Sequence, residues 1–580
     1  MLKGIFRTKK LDDILAAAGG PQFSLKRSLG AFNVTLLGIG AIIGAGIFAT
    51  VGTAAAGDAA RPGAGPSLML SFVITALVCA FTALCYAEFA SMVPISGSAY
   101  TYSYATLGEL VAWIIGWDLI IEYAVGNVAV AISWANYFRS FLLSIGIDFP
   151  QWLAVDYRTA AKIPGLYESA PQIFGVPIVF NLLAFGIVAL ITIVLVWGIR
   201  ESAGFNAVMV GIKILVLLFF IVTALYFVSP STMATNWQPF QPRGWSGTLT
   251  GAAIVFFAYI GFDAVSTVAE ETKNPARDLP IGIIASLVIC TAFYVVVAAV
   301  FTGMIPYQEL VTRLSTEQAE PLTMALEHVA PQANWASGIV AFGSVVAHTA
   351  VLLVFQLGQP RIFFSMARDG LLPSVFATVH PKFKTPHITT IVTGILVGGF
   401  AAVMSIDEMV DLTNIGTLFA FTLVCIGIII LRYKEPARHR PFKVPFGAWP
   451  LPLLGAVSCV FLMFYLPPAS WWRFVGWLVL GLAIYLAYGY TRSAVGMRLG
   501  RPALTPLTLK LAAIGFLLVA VGLFIIPHDL RLAEVVRAAF THDADRHALA
   551  FSGLALIVVG LILGVASTLA SRATGPPASK

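Results

Sequence analysis

The sequence predicts an all-α protein that crosses a membrane many times, and three observations support this prediction. Hydrophobic residues make up 58% of the 580 residues, whereas charged residues make up only 11%. A soluble globular chain carries roughly 25% charged residues, so lipid must be the solvent for most of this surface. The chain contains about 14 apolar segments with the roughly 20 residues that a spanning helix needs. Two of these segments, the first and the sixth, are interrupted by glycine.

The apolar segments are spaced along almost the whole chain. An even number of spans places both termini on the same side of the membrane. The predicted spans are centred near Gly44, Val78, Tyr123, Ala189, Val216, Tyr259, Cys290, Leu352, Leu396, Leu418, Val460, Leu480, Leu517 and Val558.

The distribution of basic residues predicts the orientation. With both termini in the cytoplasm, roughly 24 Lys and Arg residues fall in cytoplasmic segments and roughly 10 in external ones, as the positive-inside rule requires. The richest cytoplasmic stretch runs from Arg432 to Lys443. Because the charges lie between apolar runs, the net charge of +7 indicates membrane topology and not a nucleic-acid partner. We therefore expect a multi-pass protein of the inner or plasma membrane.

The sequence contains no pattern that calls for a cofactor. The five cysteines all lie in apolar runs and form neither a CxxC pair nor a Cys/His cluster, so no metal site or disulfide framework is expected. No Ser/His/Asp set, HExxH or phosphate loop is present, which argues against an enzyme. The first roughly 30 residues are basic but lack a compact apolar core, so the first span is expected to serve as the insertion signal.

The first span carries four glycines in nine residues, from Gly38 to Gly46. Glycine costs a helix about 1 kcal/mol relative to alanine, so this density predicts a break at Gly44-Ala45-Gly46. A break frees backbone N–H and C=O groups, which a membrane tolerates only where they line a cavity or bind something. The N-terminus of the second half-helix would present free amides and a positive dipole end, which suit a carboxylate. GxxxG packing through Gly40 and Gly44 is the competing interpretation.

The sixth span has similar features. It reads Phe256-Phe257-Ala258-Tyr259-Ile260-Gly261-Phe262-Asp263, with a glycine in mid-span and an acidic residue at depth. It lies five spans after the first. Two interrupted spans in corresponding positions of two five-helix halves indicate a transporter binding site at the membrane midplane.

These motifs resemble the amino acid–polyamine–organocation (APC) superfamily, and within it the cationic amino acid transporter family, in a bacterial-type member. The first span is similar to the family pattern G-x-G-x-x-x-G-x-G-I-F. The sixth continues with a similar signature from Gly261 to Pro275, and the eighth ends with two more, Gly358 to Arg361 and Met366 to Pro373. The resemblance covers residues 25 to 570.

The resemblance implies a LeuT-like 5+5 inverted repeat with broken helices 1 and 6, followed by extra C-terminal helices. The expected organisation is a cytoplasmic N-terminal segment (1–30), a first repeat (31–228), a second repeat (229–434), spans 11 to 14 (435–572) and a disordered tail (573–580).

The resemblance also implies a substrate site. The amides of Ala45 and Gly46, beside Gly44, would bind the substrate carboxylate. The ring of Phe257 would close over the substrate. The carbonyls expected to receive the substrate ammonium are those of Ile43, Phe257, Ala258 and Ile260.

Two charged residues within the spans are candidates for proton coupling. Lys213 lies in the middle of the fifth span, where an intramembrane ionisable residue is a functional hypothesis by default. Relatives in the family carry a lysine here. A permanently charged structural lysine is the alternative. Glu122 in the third span could carry a proton or form a structural pair, and the same two interpretations apply to Glu88 and Asp263.

The sequence thus predicts a secondary active transporter of an L-amino acid, with the proton as the coupling ion. Phe355, in the eighth span, has no carboxylate beside it to pair with a basic side chain, which favours small neutral substrates such as alanine. Arginine, lysine or ornithine is the alternative, by transport or exchange. A non-transporting sensor is less favoured, because such proteins usually carry a long soluble tail or loop and this sequence shows neither. A channel is also less favoured, because no channel filter is evident in the sequence.

Overall fold

The computed structural model describes residues 8–9, 27, 29–58, 61–93, 98–161, 163–198, 203–316, 320–383, 385–498, 506–528, 530–539 and 544–573. Most of the predicted N-terminal segment (1–30) lies outside these residues. The predicted tail (573–580) does too, apart from Ala573, which ends the last helix.

The described residues are mostly helical, and every predicted span centre falls on a helix or, for the first span, on its break. Ten helices are long and apolar enough to cross a membrane: Gly65–Met92, Glu109–Ser144, Asn206–Phe227, Gly244–Ala269, Pro275–Met304, Asn334–Arg368, Ile406–Lys434, Pro468–Arg492, Leu507–Ile525 and Ala548–Ser567. Four shorter apolar helices coincide with the remaining predicted spans: Ala31–Ile42, Leu182–Trp197, His387–Val403 and Pro450–Met463. The protein is an all-α polytopic membrane protein.

Short elements connect the spans. The helices outside the membrane-spanning set include Tyr157–Ala160, Leu166–Ser169, Pro230–Asn236, Tyr307–Thr316, Pro321–Val329, Ala494–Arg498 and Leu532–Ala538. Two antiparallel hairpins pair Gly57–Asp58 with Arg61–Pro62 and Gln172–Ile173 with Val176–Pro177. The first hairpin follows directly on the first span.

Several pairs of spans that pack closely have the same separation along the chain. Spans 2 and 7, 3 and 8, and 4 and 9 pack against each other, and the breaks of spans 1 and 6 are in contact. These pairs are five spans apart, which is the separation that the predicted five-plus-five repeat requires. The repeat and its boundaries at 228 and 434 stay predictions. Spans 13 and 14 form a separate close pair, in which Gly515 faces Gly560.

Buried ion pairs join distant spans near their ends. Arg61, in the hairpin after the first span, donates from Nη1 to Asp411 Oδ1 of the tenth span at 2.7 Å. Glu88 of the second span accepts from Arg432 Nε at 2.9 Å. Of the two interpretations that the sequence left open for Glu88, this geometry favours the structural pair. A buried charge without such a partner would be strongly destabilising.

Candidate functional site

The first span is broken where its glycines predict a break. Its first half-helix, Ala31–Ile42, ends at Ile43, whose backbone is extended (φ −73°, ψ 105°). Gly44 is also extended, and a new helix begins at Ala45 and continues through Thr50–Ala56. The amides of Ala45 and Gly46 are the first in this second half-helix and have no acceptor within it. They are therefore available to an anion at the centre of the span.

The sixth span is interrupted at the predicted place. The α-helix Gly244–Val255 tightens into a 3₁₀ turn, Phe256–Tyr259, and the chain is extended at Ile260. Gly261 has φ +123°, a conformation that L side chains rarely adopt, and a 3₁₀ segment then runs over Asp263–Glu271. The carbonyls of Phe257, Ala258 and Ile260 therefore lie in irregular backbone.

The two breaks lie directly against each other. A Cβ atom placed on Gly46 would be 2.1 Å from Ala258 Cα, and one placed on Gly261 would be 2.8 Å from the carbonyl carbon of Ala41. Both approaches require glycine, so the glycines do more than weaken the helix: they allow two backbones to touch. The predicted substrate-binding residues of the two spans are thus brought together.

Two side chains from other spans reach the end of the first half-helix. Lys213 Nζ of the fifth span donates to Gly40 O at 2.5 Å, and the Lys213 side chain is fully buried. The Tyr294 hydroxyl of the seventh span lies 2.8 Å from Ile42 O and 2.9 Å from Ala258 O. The last carbonyls of a helix lack partners within it, so these donors stabilise a helix end inside the membrane.

Glu122 lies in a π-helical turn, Ile121–Val125, within the third span. Such single π turns are frequent at functional sites. Its carboxyl interacts with the carboxyl of Asp263, just after the break of the sixth span, and both groups are buried. Tyr123 donates to Asp263 Oδ2 at 3.4 Å. Two buried carboxyl groups thus lie beside the break of the sixth span.

Phe355 of the eighth span packs against the third span. Its ring packs edge-on against Tyr123, with centroids 5.7 Å apart, and lies against Gly126 of the third span. The eighth-span residue that faces the first break is Val351: a Cβ placed on Gly44 would be 2.6 Å from Val351 Cγ2. Val351 thus contacts the first break, and Phe355, one helical turn further on, contacts the third span beside it.

A buried carboxyl lies beyond the second half-helix. Glu320 precedes the helix Pro321–Val329, and Pro321 packs on Gly52, where a Cβ would be 2.5 Å from Pro321 Cγ. The Glu320 carboxyl is hydrogen bonded to Asn136, and burial raises its pKa to about 8. Its Oε2 atom has no hydrogen-bond partner in the part of the chain that the structure describes. The Tyr137 hydroxyl interacts electrostatically with it.

Sequence reasoning missed three contributors to this site: Tyr294, Val351 and Glu320. Tyr294 is one of several aromatic residues in an apolar span, and nothing in its neighbourhood along the chain marks it. Val351 lies one helical turn before Phe355 on the same face, so helical periodicity could have indicated it. Glu320 lies in a loop between two predicted spans, where an acidic residue is ordinary.

Two broken helices in contact at the centre of a many-span helical bundle define a membrane transport protein. Residues 29–484 match the family model described as amino acid permease. The chain therefore belongs to the amino acid permease family of the APC superfamily, and it is a transporter and not an enzyme.

Three relatives show how closely the chain is related to known transporters. It is 48% identical over 493 residues to the Branched-chain amino acid permease BcaP of Bacillus subtilis, covering 85% of this chain and 99% of that protein. It is 43% identical over 492 residues to the Methylthioribose transporter of the same organism, with coverage of 85% and 99%. It is 36% identical over 441 residues to Cationic amino acid transporter 4, vacuolar, of Arabidopsis thaliana, covering 75% of this chain and 68% of that protein.

Proposed function

We propose that this protein is a secondary active transporter that carries small neutral L-amino acids, such as alanine, into the cell together with protons. The observation that carries this proposal is the contact between the two breaks. Gly46, whose amide lacks a helix acceptor, lies against Ala258, whose carbonyl lies in the 3₁₀ turn of the sixth span, and this contact supports a site with both donors and acceptors. A zwitterionic α-amino acid needs both kinds of group, because its carboxylate takes donors and its ammonium takes acceptors.

In this proposal each part of the substrate has its own partners. The amides of Ala45 and Gly46, beside Gly44, bind the carboxylate, where the dipole of the second half-helix adds favourable charge. The ring of Phe257, which is buried, closes over the bound molecule. The carbonyls that receive the ammonium are those of Ile43, Phe257, Ala258 and Ile260.

The surroundings of the side-chain position support a neutral substrate. Val351 and Phe355 are both buried and apolar. A charged side chain buried against them would need a compensating partner. The relative named as a branched-chain amino acid permease supports the same substrate class and extends it toward valine, leucine and isoleucine.

Cationic amino acids are the second candidate, favoured by two observations. Several relatives are named as cationic amino acid transporters. The Glu320 carboxyl is buried near Gly52, which is six residues and so about 9 Å along the helix from Gly46. A long basic side chain directed outward from the site could reach toward it.

Coupling to protons rests on two groups that contact the breaks. Lys213 holds the end of the first half-helix through Gly40 O, so loss of its proton removes charge from that contact. The buried carboxyl groups of Glu122 and Asp263 interact beside the sixth span, and in this proposal they carry a proton between them. If substrate and proton each bind one orientation of the transporter better than the other, the two flows are coupled. The basic residues between spans support cytoplasmic termini in the cell membrane.

The first experiment identifies the substrate. Purified protein is heated with each of the twenty standard amino acids and with methylthioribose, and the shift in melting temperature is recorded. We expect alanine or a branched-chain amino acid to give the largest shift. A larger shift with arginine or lysine would favour the cationic candidate, and stabilisation by methylthioribose alone would refute amino acid transport.

The second experiment tests coupling in proteoliposomes with an acidic exterior. Wild-type protein should accumulate the substrate, whereas Lys213→Ala should lose gradient-driven accumulation. Lys434→Ala is the matched control, because it removes a lysine bond to a helix carbonyl, Thr106 O at 2.9 Å, away from both breaks. Undiminished accumulation by Lys213→Ala would mean that another group carries the coupling proton, with Glu122 as the next candidate. Wild-type uptake that ignores the gradient would mean exchange or facilitated diffusion.

A further inference from the structure

The Tyr294 hydroxyl is placed between the two broken spans. It lies 2.8 Å from Ile42 O, at the end of the first half-helix, and 2.9 Å from Ala258 O, in the break of the sixth span. A phenol has one O–H and can donate one full hydrogen bond at a time. Only one of the two carbonyls can therefore hold this proton at any moment.

The oxygen of Tyr294 is held in this position by its surroundings. Its side chain is fully buried on the seventh span, and its ring packs against Phe72 and Tyr259, each with centroids 5.4 Å away. The first half-helix also packs along the seventh span. Rotation of the O–H, and not movement of the ring, is thus the change that costs least.

We propose that Tyr294 is a positioning residue that links substrate binding to the first half-helix. This inference rests on the proposed function, in which Ala258 O receives the substrate ammonium. Without substrate, Ala258 O accepts the Tyr294 proton. When the ammonium binds Ala258 O, its positive charge repels the hydrogen of the phenol, which then turns to Ile42 O. Substrate binding thereby fastens the end of the first half-helix to the seventh span.

For transport, the consequence is that one half of a broken helix gains a hydrogen bond only when substrate is bound. Lys213 holds the neighbouring carbonyl, Gly40 O, whether or not substrate is present. Tyr294 adds its bond only in the loaded transporter. The hydrogen bonds of the first half-helix should therefore open less readily after substrate binds. In the loaded transporter this favours movement of the first half-helix together with the seventh span.

Hydrogen–deuterium exchange of the full-length protein tests this directly. L-Alanine, at saturation, should slow amide exchange in peptides that cover Ala31–Ile42 of the wild type by about 3- to 10-fold, the effect of one hydrogen bond. Tyr294→Phe should still bind L-alanine within about 10-fold of wild type, yet show no slowing in this segment. Tyr485→Phe is the matched control: it removes a buried tyrosine hydrogen bond, to Glu109 Oε1 at 2.9 Å, away from both breaks, and should keep the slowing.

A measurement on wild-type protein tests the same inference without depending on whether the variant folds. Propionate is alanine without the ammonium, so it can take the carboxylate position while leaving Ala258 O to Tyr294. At a concentration that displaces labelled L-alanine, it should not slow exchange in Ala31–Ile42. Slowing by propionate equal to that by L-alanine, or full slowing retained in Tyr294→Phe, would overturn the inference alone. A wild type that binds none of the twenty amino acids would refute the proposed function and the inference with it.

Discussion

Replacing Gly46 by valine tests the carboxylate site with little room for compensation. The hydrogen of Gly46 faces the backbone of Ala258, and a Cβ there would lie 2.1 Å from Ala258 Cα, 2.6 Å from its Cβ and 2.8 Å from its N. Real Cβ contacts are essentially never shorter than 3.0 Å and are seldom shorter than 3.4 Å, so the second half-helix must move about 0.9–1.3 Å away from the sixth span. Because the obstacle is backbone, no side-chain rotation can make the space.

The expected loss of affinity follows from the same displacement. The amides of Ala45 and Gly46 move with the half-helix and no longer meet the carboxylate of a substrate whose ammonium is held by the sixth span. Hydrogen bonds to a charged group contribute about 1.5–3 kcal/mol each, so losing both weakens binding by roughly 10²- to 10⁴-fold. Overpacking itself costs about 1–3 kcal/mol of stability, which a protein with 14 helical spans should survive.

The assay is thermal stabilisation by L-alanine, combined with the amount of monodisperse protein in detergent. Gly46→Val should insert and purify but show no stabilisation at concentrations that saturate the wild type. Gly186→Val, in the fourth span, is the matched control because a Cβ at that position meets nothing within 4 Å. If Gly46→Val bound L-alanine with near-native affinity, neither the contact with Ala258 nor the amides of the break could form the site.

Two further predictions concern the surroundings of the site. Phe355→Ala should widen the accepted substrates toward longer side chains, arginine included, in competition assays; wild-type protein that transports arginine better than alanine would contradict this role. Burial raises the pKa of Glu320 to about 8, whereas an exposed glutamate carboxyl has a pKa near 4.3. Between these two pH values the buried carboxyl keeps its proton and an exposed one loses it. The buried arrangement should therefore weaken by roughly 1.4 kcal/mol per unit as pH rises between these values. Exchange protection of residues 320–329 should fall from pH 6 to 8 in the wild type and stay level in Glu320→Gln, once corrected for intrinsic rates.

How much of this site can be predicted from sequence depends on whether its signal is local. The breaks at Gly44 and Gly261 were predictable because glycine acts on its own backbone, and the structure places a break at both. Lys213 was predictable because a buried charge is conspicuous in an apolar span, although its contact with Gly40 O was not. Tyr294 could not be found, since its role comes from two carbonyls that are 252 and 36 residues away along the chain.

The two half-helix ends that meet at the first break differ in their hydrogen-bond partners, and this difference indicates their roles. The carbonyls at the end of the first half-helix are met by protein donors, Lys213 on Gly40 O and Tyr294 on Ile42 O. The amides that begin the second half-helix have no acceptor in that helix. Inside a membrane an unsatisfied backbone group costs several kcal/mol, so these amides need a partner that comes and goes. Protein donors at the carbonyl end and amides without a helix acceptor at the other end support the proposal that this break binds an anion. In the proposed function that anion is the carboxylate that all amino acid substrates share, whereas Val351 and Phe355 would contact the side chain.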